Sequence, residues 1–221
     1  MKRKVLALAL GMSMVLGTTA MAEEFNPDKV EDAMSIEEVR EKNGEEVPVA
    51  KDLTLGAIAK SFSNEFWRTL EEGYGEAQDK VNEAGVNVTI QVDGPTDEND
   101  EIGQQTMTDN MVNQGYDAIM ASPISDANLT ASIESANEAG IATVNVNDGL
   151  IAAANYYVGP NAYQNGQLAA EWVSEKLGDE GQVGIVIGMA KAFAAIERTD
   201  GFKDWIADNE SGLEVVAEQN A

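Results

Sequence analysis

LTLGAIAKSFSNEFWRTLEEGYGEAQDKVNEAGVNVTIQV, residues 53–92, sets two apolar runs on either side of a segment with a different period. The flanking runs, 53–59 and 86–92, are short and rich in Leu, Ile and Val, which predicts buried strands. Between them Trp67, Leu70, Tyr74, Ala77, Val81 and Ala84 recur at steps of three and four, the buried stripe of one helix. Gly85 then ends that helix, because a residue without a Cβ takes the left-handed conformation at little cost. Strand, helix, glycine and strand together make the unit of a right-handed βαβ crossover.

The same order repeats downstream. Further strands are expected at 116–121, 141–146 and 182–187, and further helix-ending glycines at Gly115, Gly140 and Gly178. The fold class is therefore α/β, with parallel sheets flanked by helices. The first four strands form one lobe, residues 51–154, and NYYVGPNAYQNGQLAAEWV (155–173) leads into a second, 155–221. Another strand-like run, LEVVAEQ (213–219), leads up to Ala221, so the second lobe is expected to be incomplete, and residues 23–221 alone to unfold with poor cooperativity.

The N-terminus carries an address rather than a fold. Lys2, Arg3 and Lys4 precede the apolar run Val5–Leu16, and Ala20-Met21-Ala22 is an A-x-A signature, so residues 1–22 read as a secretory signal cleaved after Ala22. The run is too short to span a bilayer. With no cysteine in the chain there is neither a lipid attachment site nor a disulfide framework, which favours a periplasmic location. Residues 23–50 hold ten acids, three bases and no sustained apolar period, and are expected to be an acidic leader or linker.

The whole chain carries 14 Lys and Arg against 39 Asp and Glu, a net charge of −25. That balance argues against nucleic acid and anionic membranes as partners, since both demand positive potential. It fits solubility or a saline habitat equally well. The absence of histidine and cysteine removes Cys-His and Ser-His-Asp nucleophile systems and the common zinc sets, and no strand is followed by a phosphate-binding glycine loop. No cofactor or metal is expected, and no carboxylate pair stands out for an enzyme.

In open parallel sheets ligands bind beyond the carboxyl ends of the strands, where Lys60, Asn64, Phe66 and Trp67 follow strand one. Lys60 and Asn64 can pair with hydroxyls, and an aromatic face can cover the C–H side of a sugar ring. AIAKSFSNEFWRTLEEGYGEA (57–77) resembles the first strand and helix of the type I periplasmic sugar-binding proteins of ABC importers, the group that includes ribose-binding protein. VDGPTDENDEIGQQTMTDNMVNQGYDAIMASPISDANL (92–129) and Lys60 resemble the autoinducer-2-binding and rhamnose-binding branch. The resemblance runs from about Leu53 to Ala221, part of the family's two-lobed domain.

The resemblance implies that Asn64, Phe66 and Trp67 are first-loop sugar contacts and that Lys60 is the branch's lysine. Asn147 and Asp148 stand where ribose binders carry an Asp-Arg pair, a departure that speaks against ribose itself. AFAAIERTDGF (192–202) resembles the loop and helix start that supply an arginine, here Arg198, with Phe193 in the same loop. Each residue also has a plainer reading. Trp67 lies on the core stripe, Lys60 could be a surface base, Asn147-Asp148-Gly149 is a good turn, and Arg198 could pair with any nearby acid.

The implied function is a monomeric periplasmic solute-binding protein, not an enzyme, that closes two lobes on a sugar or polyol and delivers it to an inner-membrane ABC permease. The same domain could instead present a sugar or autoinducer to a chemoreceptor or sensor kinase. An exported carbohydrate-active enzyme is a third reading. A LacI-type repressor shares the core fold but needs a basic DNA-binding segment.

Overall fold

The computed structural model describes residues 26, 28, 33–43, 52–147, 149–188 and 192–220. The expected signal segment and Asp148 lie outside the described residues. Five strands form one sheet in the order β2-β1-β3-β4-β5: β1 Leu53–Ile58, β2 Val88–Asp93, β3 Ala118–Ala121, β4 Ala142–Val146 and β5 Tyr156–Val158. Every pairing is parallel. Helices α2 Glu65–Glu83, α3 Glu101–Gln114 and α4 Thr130–Glu138 make the crossovers, and the core gathers Ile58, Met111, Ile119, Leu129, Ile133 and Ile141. Gly85, Gly115, Gly140 and Gly178 all have positive φ, as their place at helix ends requires.

Because β1 lies between β2 and β3, the chain turns to opposite sides of β1 at its carboxyl end, and a crevice opens there. The edge strand β2 is closed off by α2. Gln78 Oε1 accepts from Ile90 N–H at 2.7 Å, and Asn82 pairs with both Val88 N–H and Val88 C=O. Of the stripe expected for α2, Trp67 is buried and Leu70, Tyr74 and Val81 are half-buried, whereas Ala77 and Ala84 are exposed.

Burial pushes the Tyr74 phenol up to about 12 from its ordinary value of 10.0. The folded state thus holds its proton to higher pH than the unfolded state. The contribution is constant below pH 10 and is lost as pH rises from 10 towards 12. An ultraviolet pH titration should show a late phenol step that is absent in Tyr74→Phe. If no late step depends on Tyr74, α2 does not seal the edge as described.

The described residues 35–43, ahead of β1, form a capped helix. Ser35 Oγ accepts from Glu38 N–H and Glu38 Oε2 accepts from Ser35 N–H at 2.7 Å, a reciprocal capping box that starts α1, Ile36–Asn43. Farther upstream, the Asp28 carboxylate accepts from Tyr163 N–H at 2.9 Å.

The second series comprises α5 Ala162–Leu177, β6 Glu180–Ile187, α6 Phe193–Asp208 and β7 Gly212–Asn220, with β6 and β7 paired in parallel. The first sheet takes in Tyr156–Val158, which sequence reading gave to the second series. Helices α5 and α6 pack together, with Gly166 against the Arg198 carbonyl and Gly201 against the Tyr163 carbonyl. Among the described residues no helix is long and apolar enough to cross a membrane.

Candidate functional site

At the end of β1 the chain is pinned in a defined loop. Ala59 N–H donates to Asp93 C=O, Phe62 N–H donates to Pro95 C=O, and the Ser61 and Ser63 hydroxyls lie 2.9 Å apart. The buried amide of Gln104 ties this loop to the next strand: Nε2 donates to Ala59 C=O and Ser122 C=O, both at 2.9 Å, and Oε1 accepts from Ile124 N–H and Asn128 Nδ2. The side chain after Ala59 is therefore delivered to a fixed place.

That side chain is Lys60, only 4% exposed, so it is not a surface base. Its Nζ stands 6.0 Å from the centre of the Trp67 ring, within cation–π range. Trp67 is buried, and Phe66 meets it edge-on at 4.9 Å while remaining half exposed. Asn64 is the N-cap of α2, its Oδ1 accepting from Phe66 N–H at 3.0 Å. Its amide N–H groups remain as donors. The site role drawn from the resemblance thus coincides with a structural one.

At the end of β4, Asn147 adopts φ 62° and its N–H donates to Val158 C=O, so it opens a turn that Gly149 continues at φ 80°. The buried Asn145 holds the turn from beneath, through Gly149 C=O and Ile151 N–H. Asn147 thus has the left-handed backbone of a turn residue.

Lys60, Asn64, Phe66, Trp67, Asn147 and Arg198 line one cavity of about 290 Å³, together with Glu98. Of the eight residues singled out in the sequence, six meet here, Asp148 lies outside the described residues, and Phe193 does not line the cavity. Phe193 is the first residue of α6 and Arg198 lies within that helix, so neither belongs to a loop. Glu98 was not foreseen; it lies in an acidic run between β2 and α3 that reads as a solvated connection. A larger cavity of about 530 Å³ lies in the second lobe, between α5, α6 and β6. Its lining is largely apolar, with Val183, Ile185 and Phe202, and its polar side chains are Asn165, Thr199 and Arg198. Arg198 borders both spaces.

Among the described residues no group of three or more acids is placed to hold a metal ion. Among the described residues the lining of the smaller cavity offers two cations, one carboxylate, two side-chain amides and two aromatic rings. A family model for the periplasmic binding protein domain matches residues 55–221. The D-ribose/D-allose-binding protein of Pseudomonas aeruginosa is 29% identical over 173 residues, covering 75% of this chain and 53% of that protein. The ribose import binding protein RbsB of Bacillus subtilis is 28% identical, covering 77% and 53%. An ABC transporter solute-binding protein from Agrobacterium vitis, solved with bound D-fucose, is 27% identical with a TM-score of 0.64, covering 76% and 57%. The chain spans about half the length of the curated relatives it matches.

Proposed function

Since the chain belongs to the periplasmic binding protein family, we propose that its 290 Å³ cavity takes a neutral sugar or related polyol for uptake by an ABC permease. The observation that carries this reading is the convergence of donors and rings from separate elements. Lys60, Asn64, Phe66 and Trp67 come from the β1–α2 junction, Asn147 from the end of β4, and Arg198 from α6. Hydroxyls both donate and accept, so they suit a lining of this mixed kind, while the exposed ring of Phe66 offers an apolar face to C–H groups. Lys60 and Arg198 belong to different lobes, so a ligand touching both stabilises the closed arrangement, and the permease reads that closed form. Export to the periplasm accompanies this function.

A thermal-shift screen of the intact protein against neutral pentoses, hexoses, deoxysugars and polyols tests the reading. At a hundredfold excess over Kd a true ligand adds about 2.7 kcal/mol, a shift of several degrees. Stabilisation by at least one neutral sugar is expected. Stabilisation by amino acids or anions alone would defeat it.

A further inference from the structure

We propose that Glu98 sets the charge of the ligand, admitting neutral polyols and rejecting anionic sugars such as uronates and aldonates. The inference rests on the polyol reading of the cavity and adds a selecting residue to it. Residues 97–100 are all polar, but the others have local work. Asp97 Oδ1 accepts from Asn99 N–H at 2.8 Å and from Asn99 Nδ2 at 3.0 Å, and Asp100 Oδ1 accepts from Gly103 N–H at 2.8 Å to start α3. Glu98 alone of the four lines the cavity, half-buried, and among the described residues no hydrogen bond engages its carboxylate.

The chemistry of the lining gives that carboxylate a role. Lys60 and Arg198 can only donate hydrogen bonds, and ionised Glu98 can only accept them. A hydroxyl can answer both at once. An anionic sugar would bring its own carboxylate into a small space beside Glu98, where like charges at close range repel. Glu98 is therefore a repulsive element of specificity rather than an attractive one.

The test is calorimetric titration of the intact protein at fixed ionic strength with D-ribose, D-allose and myo-inositol as neutral probes and D-ribonate and D-glucuronate as anionic ones. The parent should bind a neutral probe and disfavour the anionic ones by about a hundredfold or more. Glu98→Gln should weaken the neutral probe about tenfold, by exchanging a charged acceptor for a neutral one, and strengthen an anionic probe about tenfold. Glu101→Gln, an exposed acid on the first turn of α3, should leave the neutral-to-anionic ratio unchanged. An unchanged ratio in Glu98→Gln, or an equal change in Glu101→Gln, overturns the role of Glu98 while neutral binding by the parent leaves the polyol reading standing. A parent that binds no neutral probe overturns both.

Discussion

A Gln104→Leu variant is expected to unfold at much lower urea than the parent, with a loss of about 4 kcal/mol. The side chain has no exposed surface, and its amide serves four partners: the Ala59 and Ser122 carbonyls, the Ile124 N–H and the Asn128 amide. Leucine fills similar space but satisfies none of them. Each buried group left without a partner costs about 1–3 kcal/mol, so even at the lower bound the two carbonyls and the Ile124 N–H, all buried, outweigh the apolar gain of one leucine, about 2 kcal/mol. Domains of this kind have only about 5–15 kcal/mol in total. Glutamate at 104 keeps the acceptor and loses both donors, so Gln104→Glu should be destabilised as well. A loss below about 1 kcal/mol in Gln104→Leu would mean that the amide does not clamp the ends of β1 and β3.

The second large effect lies in the other lobe. A Cβ on Gly166 would collide with the Arg198 carbonyl oxygen, and one on Gly201 with the Tyr163 carbonyl oxygen, so α5 and α6 touch backbone to backbone at reciprocal glycines. Alanine improves helix propensity by about 1 kcal/mol over glycine, but here the obstacle is backbone, which cannot rotate away. Overpacking of this kind costs about 1–3 kcal/mol and occasionally more, so steric loss wins, and Gly166→Val should cost about 3 kcal/mol. Because the clash is with the residue that bears the Arg198 side chain, ligand affinity should fall alongside the melting temperature. A valine variant as stable as the parent would show that the helices do not approach this closely.

Much of the first lobe can be read from residue order because its signals are local. Short Ile/Val runs bounded by polar residues gave the strands β1 to β4, within two residues at their ends, and four glycines marked helix ends. The place of Lys60 beyond β1 follows from that alone. Strand β5 escaped because Tyr156–Val158 is three residues long, too short for a period, and exists through its pairing with β4. Helix α1 escaped because its signal is a cap rather than a stripe; Ser35 with Glu38 three residues on was there to be found. Gln104 and Glu98 are different in kind. Gln104 sits in a helix of polar appearance, and Glu98 in an acidic run, and only the packing of α3 against β1 and the geometry of the cavity separate them from their neighbours.

The central claim is that the β1 end of the cavity holds a polyol, and titration of Lys60→Ala tests it most directly. Lys60 is nearly buried and lines the cavity beside Trp67, so truncation removes a donor that a bound hydroxyl would need. A ligand hydroxyl left unpaired costs about 1–3 kcal/mol, which predicts that the sugar found in the thermal-shift screen binds Lys60→Ala about tenfold to a hundredfold more weakly than the parent. Phe66→Ala should lose affinity without loss of stability, since its ring is half exposed in the unliganded protein. Parent-like affinity in Lys60→Ala, measured by calorimetry on protein shown to be folded, would contradict the account and remove the site from the end of β1.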